Sequence, residues 1–395
     1  MKIAVIGAKG LPAKQGGIEH HCEEIYPRLV AQGHSVDLFA RSSYTESTSL
    51  ESYEYKGVRV ISLPCLYAGG MDALLSSALG AIASGTEQYD IVHFHALGPS
   101  LFCWLPKLTT SAKIVVTCHG LDWKRAKWGK SSGKLLYYGE RAAVRFADEI
   151  IVVSEDLRSY FKKVYNKETT YIPNAASVLA PSDPEFAFGT SLGLTQQKYI
   201  LFLGRLVPEK CPDLLIQAFQ KLQPKGWKLA LVGGTSDTAE YSTKLVNMAA
   251  NNKDIIFAGQ QKGSNLAELI RGAGLFVLPS KLEGLPLAML EAMQEGIPVV
   301  ASNIPVHQQL TSEQRGLAFQ VENLDSCIST LDWAIHHPYE MAVMAKNAQK
   351  YVQTHYNWEE ISAKTLKVYT TLHPSLITEN TAIQLSSSTY ESSAY

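Results

Sequence analysis

The chain has 395 residues, and its composition and charge exclude several classes of protein. This length exceeds what one ordinary hydrophobic core holds and predicts two domains. With 46% hydrophobic and 18% charged residues, the composition is typical of a globular protein and not of a disordered or fibrous one. The formal net charge of −1 gives no overall support to nucleic-acid binding.

The N-terminal sequence and the cysteines favour a cytoplasmic protein. The first residues, MKIAVIGAKGLP, contain an apolar run that is shorter than the core of a signal peptide and is typical of a strand. No stretch approaches the roughly 20 apolar residues of a membrane-spanning helix. The cysteines form no C-x-x-C pair or zinc spacing, which favours buried thiols in a reducing compartment. They are Cys22, Cys65, Cys103, Cys118, Cys211 and Cys327.

Short apolar runs alternate with helical segments in the first half of the chain. Residues 2–7 form an apolar run that ends in glycine, 18–29 carry apolar residues at helical spacing, and 36–40 resume a strand. Further strands are predicted at 91–94, 114–117 and 149–153. Buried strands separated by helices indicate a parallel sheet covered on both faces. We therefore expect a first Rossmann-like domain at 1–178.

The second half repeats this organisation. Residues 175–198 are rich in proline and serine without sustained periodicity, as in a linker. The apolar runs then restart and predict a second α/β domain at 179–355. Its predicted strands are 199–204, 228–233, 255–258, 275–278 and 298–301. An amphipathic helix is predicted at 356–373, and the Ser/Thr-rich residues 374–395 are expected to be disordered.

Two Rossmann-like domains leave a cleft faced by the carboxyl ends of their strands, where such sheets bind ligands. One strand of the second domain is followed by two glutamates with seven residues between them, Glu283 and Glu291. Pro286 suits the first turn of a helix, so Glu283 precedes this helix and Glu291 lies within it. The alternative interpretation is that Glu283 caps the helix and Glu291 lies on a solvated face.

The start of this helix suits a nucleoside diphosphate, because backbone N–H groups at a helix N-terminus bind anions. The N–H groups of Leu285, Leu287 and Ala288 are available there, and Gly284 lets the backbone approach a phosphate closely. Glu291 is then placed to accept hydrogen bonds from ribose hydroxyls, and Glu283 from hydroxyls of a sugar.

Two cations follow the first strand of the second domain. Arg205 and Lys210 lie in the loop between this strand and an aliphatic helix. Cleavage of a nucleotide-sugar bond leaves negative charge on the diphosphate, which fixed cations stabilise without a metal. The alternative is that both cations are simply solvated.

The sequence GRL-x-PEK, followed about seventy residues later by E-G-x-P-x₄-E, resembles the retaining GT-B glycosyltransferases of family 4. The resemblance extends over nearly the whole chain. It implies that Arg205 and Lys210 bind the donor diphosphate, that Glu283 contacts the donor sugar and that Glu291 contacts the ribose. It places the base-binding turn at 258–261, which includes Gln261. Cys211 departs from the glycine that usually follows the lysine.

The resemblance also assigns residues of the first domain. Gly16 and Gly17 would open a helix that faces the donor phosphate and the acceptor, with Glu19 in its first turn as an acceptor-side candidate. His119 would contact hydroxyls of the donor sugar, and the resemblance makes it a catalytic residue together with Arg205, Lys210 and Glu283. Asp122 would support His119 and is a second acceptor-side candidate. Lys124 and Arg125, in a loop with five cations and two tryptophans, are candidates for the acceptor or for peripheral membrane contact.

These assignments predict a metal-independent transferase that needs no cofactor, because no D-x-D pair is present to hold a metal. The donor is expected to be a UDP-sugar, and the acceptor a saccharide or polyprenyl-linked saccharide in cell-surface or exopolysaccharide synthesis. By the same resemblance, helix 356–373 packs back on the first domain. Three alternatives stay open: a GT-B-type nucleotide-sugar epimerase, a non-catalytic nucleotide-sugar-binding protein and an NADP oxidoreductase, in which Arg41 would hold the 2′-phosphate.

Overall fold

The structure is a computed structural model that describes residues 1–13, 16–45, 51–64, 71–121, 123, 130–234 and 239–374. These residues form two compact units. Unit 1 contains the described residues up to Asn174 together with those from Trp358 onward. Unit 2 contains the described residues between Ala175 and Asn357.

Unit 1 is built on an eight-stranded sheet in the order β3-β4-β2-β1-β5-β6-β7-β8. Its strands are β1 (Lys2–Ile6), β2 (Ser35–Arg41), β3 (Ser52–Tyr55), β4 (Val58–Leu63), β5 (Ile91–His95), β6 (Lys113–Cys118), β7 (Glu149–Val152) and β8 (Thr170–Tyr171). The helices of unit 1 that precede unit 2 in the sequence are α1 (Gly17–Ala31), α2 (Met71–Ala83), α3 (Trp104–Thr109), α4 (Lys130–Phe146) and α5 (Glu155–Tyr165). The central strands are apolar and almost fully buried, as in a sheet covered on both faces.

The edge strand β3 departs from the expected parallel sheet, because it pairs antiparallel with β4. The two strands are joined by Lys56 and Gly57, which both have positive φ values, 48° and 82°. Two successive residues with positive φ give the tight turn whose twist matches a β-hairpin. Neither strand was predicted, because the alternating pattern of SYEY and VRVISL is short and its turn lacks the usual Asn-Gly pair.

Unit 2 is built on a six-stranded parallel sheet in the order β11-β10-β9-β12-β13-β14. Its strands are β9 (Tyr199–Leu203), β10 (Lys228–Val232), β11 (Ile255–Gly259), β12 (Leu275–Leu278), β13 (Val299–Ser302) and β14 (Leu317–Phe319). Its helices are α6 (Ala187–Ser191), α7 (Pro212–Leu222), α8 (Ala239–Ala249), α9 (Gly263–Arg271), α10 (Leu287–Gln294), α11 (Pro305–Thr311), α12 (Leu324–His336) and α13 (Pro338–His355). The α/β class expected for both halves is confirmed, and every described strand pair except β3–β4 is parallel.

The segment predicted as a linker is bound along unit 2. The guanidinium of Arg271 donates to the Ala180 carbonyl at 2.7 Å and to the Ser182 hydroxyl at 3.0 Å. The segment also contains α6, which packs against α9. The division between the units falls after Asn174, four residues before the expected position, because these contacts hold the segment to unit 2.

The last helix, α14 (Trp358–Leu372), belongs to unit 1 and packs against α1. Its first residue lies two positions after the expected start, because residues 356–357 stand between α13 and α14. Tyr369 of α14 is fully buried in unit 1. Residues 375–395, for which disorder was expected, lie outside the described residues. Among the described helices, none has both the length and the apolar character needed to cross a membrane.

Candidate functional site

The loop after β9 presents two cations at the carboxyl edge of the sheet of unit 2. Arg205 and Lys210 both follow this strand, and Lys210 is the last residue of a short 3₁₀ turn at Pro208–Lys210. The Lys210 side chain lies against Gly204, because a Cβ atom added to Gly204 would be only 3.0 Å from Lys210 Cδ. Cys211 ends the turn with φ of 49°, a left-handed conformation that glycine adopts at less cost.

Lys210 forms an ion pair with Glu283 from the loop after β12. The distance from Lys210 Nζ to Glu283 Oε1 is 2.7 Å, and the two side chains are only 16% and 11% exposed. Burial by itself raises the pKa of Glu283, but the Lys210 ammonium, with smaller contributions from His307 and Ser280, outweighs it and holds the pKa below its usual range. The two residues that the sequence predicts around a donor sugar diphosphate are therefore brought together as a charged pair.

Glu283 is also held from behind by a buried polar network. The Ser280 hydroxyl donates to Glu283 Oε1 at 2.7 Å. The Ser302 hydroxyl donates to the Ser280 carbonyl, and His307 Nδ1 lies 3.0 Å from the Ser302 carbonyl. Burial lowers the pKa of His307 to about 4. Because both protein bonds to Glu283 go to Oε1, Oε2 has no hydrogen-bond partner among the described residues and is available to a ligand hydroxyl.

Glu209 supports the second cation. This residue is 5% exposed, and neither of its carboxylate oxygens has a hydrogen-bond partner among the described residues. Arg205 Nη2 lies 3.9 Å from Glu209 Oε1 and supplies the opposite charge. The backbone carbonyl of Glu209 accepts from the Lys281 N–H at 2.9 Å, which ties the two loops together. Glu209 thus lies within ion-pair distance of Arg205, a contact that the sequence did not predict.

The helix after Glu283 starts at Leu287, with Pro286 as its N-cap and not in its first turn as predicted. Pro286 has no side-chain cap, and the first N–H groups that bond within the helix are those of Met289 and Leu290. The N–H groups of Leu287 and Ala288 therefore remain at the N-terminus, where an anion is stabilised. Leu285 is buried just before them, and Gly284 follows Glu283 directly.

Glu291 lies on α10 and has a strongly perturbed carboxyl group. Burial raises the pKa of Glu291 to about 7, against a smaller opposite effect of the Ser177 hydroxyl. A carboxyl group with this pKa changes charge near neutral pH, which is common among functional residues.

Gln261, in the predicted base-binding turn, donates from Nε2 to the Ala258 carbonyl at 2.5 Å and stabilises the turn after β11.

In unit 1, His119 belongs to a cluster of histidines. It follows β6, and its Nε2 lies 3.1 Å from Nδ1 of His95, the last residue of β5. The His21 ring, from α1, lies with its centroid 4.9 Å from that of His119. Burial lowers the pKa of His21 to about 4 and that of His95 well below its usual range, so both are neutral at physiological pH.

A hydrogen-bonded chain extends from this cluster into the core of unit 1. The Tyr26 hydroxyl lies 2.5 Å from His95 Nε2 and 3.1 Å from His93 Nδ1. His93 Nδ1 lies 2.6 Å from the hydroxyl of Tyr369 on α14, and its Nε2 lies 2.7 Å from Thr117 Oγ1. This chain of hydrogen bonds was not predicted from the sequence. Its signal was the H-x-H pattern at the end of β5, which puts His93 and His95 on the same face of the strand.

The glycine turn before α1 has the conformation expected of it. Gly16 has φ of 97°, and α1 starts at Gly17. Glu19, in the first turn, is 4% exposed and its Oε1 accepts from the Lys9 N–H at 2.9 Å. One carboxylate oxygen of this acceptor-side candidate therefore stabilises the loop after β1, and its role toward an acceptor stays a prediction.

Three predicted residues lie outside the described residues: Asp122, Lys124 and Arg125. The neighbouring Trp123 is anchored, since its Nε1 donates to Glu140 Oε2 at 2.8 Å.

The NADP alternative uses Arg41 to bind the 2′-phosphate. Arg41 Nη1 lies 3.1 Å from Asp72 Oδ2, and this carboxylate neutralises its charge. This ion pair weighs against the NADP interpretation.

Comparisons with known families agree with the two-unit organisation. The family described as Glycosyltransferase Family 4 matches residues 15–178, and the family Glycosyl transferases group 1 matches residues 188–351. Among curated proteins, a glycosyltransferase of Methanocaldococcus jannaschii is 25% identical over 93% of this chain and 98% of its own length. D-inositol 3-phosphate glycosyltransferase of Gordonia bronchialis is 24% identical over 96% of this chain and 90% of its own.

Solved structures show the same fold. Sucrose-phosphate synthase of Thermosynechococcus elongatus has a TM-score of 0.82 at 23% identity and covers 95% of this chain and 99% of its own. HepE of Anabaena, in complex with UDP and glucose, has a TM-score of 0.78 at 19% identity and covers 94% of this chain and 100% of its own. The fold and the two family matches together establish that the chain is a glycosyltransferase of the GT-B type and belongs to family 4.

Proposed function

We propose that this glycosyltransferase transfers a sugar from a UDP-sugar to a saccharide or lipid-linked saccharide, with retention of configuration and without a metal ion. The observation that carries the proposal is the 2.7 Å ion pair between Lys210 and Glu283, with the start of α10 directly behind it in sequence. It supports the proposal because a cation that suits a phosphate and a carboxylate that suits sugar hydroxyls lie close enough together to contact one ligand.

The diphosphate has three sources of stabilisation in unit 2. Lys210 and Arg205 supply fixed positive charge, and the N-terminus of α10 supplies the N–H groups of Leu287 and Ala288. As the bond from the sugar to the diphosphate breaks, negative charge grows on the leaving oxygen. Charges that are already in place stabilise it without reorganisation. We assign this role to Lys210 and Arg205 in place of a metal ion.

The carboxylates bind the two sugars of the donor. Glu283 is ionised, and its free Oε2 accepts hydroxyl groups of the transferred sugar. Glu291 accepts the ribose hydroxyls and is ionised in the complex, since two donated hydrogen bonds favour the charged form. The choice of UDP rests on relatives of this fold, among them HepE, which was solved with UDP and glucose. A role in cell-surface or exopolysaccharide synthesis, with contact to the cytoplasmic face of a membrane, is part of the same proposal.

The experiment is a turnover assay with a panel of UDP-, GDP- and ADP-sugars, with and without EDTA and in the absence of acceptor. We expect slow release of free UDP from one UDP-sugar, since water replaces the missing acceptor, and no loss of rate in EDTA. Appearance of an epimerised sugar that is still attached to UDP would instead identify an epimerase. Tight UDP binding without any turnover, even with polysaccharide and lipid-linked acceptors, would identify a non-catalytic binding protein.

A further inference from the structure

Three histidines of unit 1 converge from separate elements. His21 lies on α1, His95 ends β5, and His119 follows β6. One nitrogen from each ring lies within 4.8 Å of the other two. His21 and His95 are buried, whereas His119 is half-buried and gives the cluster an approach from solvent. Nothing in the proposed transfer reaction requires His21 or His95 to stand so close to His119.

The spacing of the rings matches a tetrahedral metal site. Three imidazole nitrogens at about 2.0–2.1 Å from a zinc ion stand about 3.4 Å from one another, and their ring centroids about 5.2 Å apart. The distance between His95 Nδ1 and His119 Nε2 is 3.1 Å. The centroids are 5.2 Å apart for His21 and His95, 4.9 Å for His21 and His119, and 5.4 Å for His95 and His119. The three rings thus form the nearly equilateral triangle that such an ion requires.

The outer nitrogens of two rings are already bonded as they are in metal sites. Histidine ligands commonly donate their second N–H to an oxygen acceptor, which fixes the ring and its tautomer. His21 Nδ1 lies 2.7 Å from Asn174 Oδ1, an acceptor only, so the His21 proton is on Nδ1 and its lone pair is on Nε2. No described residue bonds to this Nε2. His95 Nε2 lies 2.5 Å from the Tyr26 hydroxyl, which leaves Nδ1 toward the cluster.

We propose that His21, His95 and His119 bind one divalent transition-metal ion, through three imidazole nitrogens and with one open coordination position. Imidazole ligands suit zinc, copper and nickel and not magnesium or calcium. The site is therefore distinct from the magnesium site of a metal-dependent transferase, and the proposed diphosphate contacts in unit 2 do not use it. If His119 contacts the donor sugar, as the family resemblance implies, the ion occupies a nitrogen that this contact needs and its binding inhibits transfer; this consequence alone rests on the proposed function.

The test uses the full-length protein, freed of metal with EDTA and dialysed, and titrated with Zn²⁺ by calorimetry near neutral pH. We expect one equivalent to bind to the wild type and to His20→Ala, whose altered histidine neighbours His21 but lies outside the cluster. His119→Ala and His21→Gln should each weaken binding by at least about tenfold, by analogy with the loss of ligand support at other metal sites. Bound Co²⁺ should give the visible spectrum of a four-coordinate site without thiolate charge-transfer bands.

Two controls keep this test separate from the transferase proposal. Lys210→Ala is expected to lose transfer activity and to bind zinc like the wild type. His119 is only half-buried, and circular dichroism checks that the His119→Ala variant is folded. Equal zinc affinity in the wild type and a folded His119→Ala, a similar loss in His20→Ala, or thiolate bands with Co²⁺ would each overturn the site. The cluster would then be a hydrogen-bonded network only, and the proposed transfer reaction would be unaffected.

Discussion

Replacement of Lys210 by alanine is expected to lower kcat about 10²- to 10³-fold, the effect of removing one preorganised group that stabilises charge in a transition state. The Lys210 ammonium is 16% exposed and pairs with Glu283 at 2.7 Å, so its position is fixed before the donor binds. KM for the donor should change much less, because the charge on the diphosphate grows mainly as the bond breaks. Steady-state kinetics with a saturating donor measures both quantities.

Loss of the ion pair is also expected to reduce the stability of Lys210→Ala. Without Lys210, the poorly solvated carboxyl group of Glu283 loses its ion-pair partner, which lowers the free energy of unfolding by about 1–3 kcal/mol. Lys210→Gln keeps a hydrogen-bond donor for Glu283 but no charge, so it separates lost catalysis from lost stability. Lys281→Ala is the matched control, because Lys281 lies in the same loop as Glu283 but pairs with the exposed Glu322. Wild-type kcat in a folded Lys210→Ala would remove the diphosphate role.

Replacement of Glu291 by alanine is expected to weaken UDP binding about 10- to 100-fold, which corresponds to the loss of hydrogen bonds to a charged group. The kcat at a saturating donor concentration should stay close to that of the wild type, because the ribose is bound equally in the ground and transition states. Isothermal titration with UDP measures the change. Gln294→Ala, at the end of the same helix, controls for disturbance of α10. Unchanged UDP affinity in Glu291→Ala would contradict the ribose assignment.

The pH dependence of UDP binding gives this carboxylate a signature. The pKa of Glu291 in the free protein is about 7, raised by burial. Only the carboxylate accepts from both ribose hydroxyls, so affinity rises as the pH increases through 7. About one tenth of the groups are ionised at pH 6 and about nine tenths at pH 8, so this group should weaken binding about tenfold at pH 6. Glu291→Gln should lose this component and keep only the titration of UDP itself.

The sequence predicted the positions of the donor residues because each motif follows a strong apolar strand. In a parallel sheet the carboxyl ends of neighbouring strands meet at one edge. The sequence placed both motifs at the carboxyl ends of strands, and the structure shows that β9 and β12 are neighbours. Lys210 and Glu283 therefore lie at the same edge, although 73 positions separate them. The sequence showed that Cys211 departs from glycine in that loop, but its left-handed conformation was seen only in the structure.

The support behind these residues was not predictable from one sequence. Ser302, Ser280 and His307 act on Glu283 through bonds that depend on how β13 and α11 pack. The same holds for the histidine cluster. The H-x-H pattern at the end of β5 shows that His93 and His95 share a face, but their meeting with His21 depends on the packing of α1. Periodicity identifies a buried face and does not identify its partner.

The central claim is that unit 2 holds a nucleoside diphosphate without a metal ion, and thermal unfolding with added nucleotides tests it most directly. UDP, GDP, ADP and NADPH would each be added to the wild type and to Lys210→Gln, with and without EDTA. UDP at a hundred times its wild-type Kd should stabilise the wild type by about 2.7 kcal/mol, equally in EDTA. It should stabilise Lys210→Gln less, because free UDP already carries the negative charge that the donor gains only as its bond breaks. Stabilisation by NADPH alone, or by UDP only when a divalent metal is present, would contradict the account.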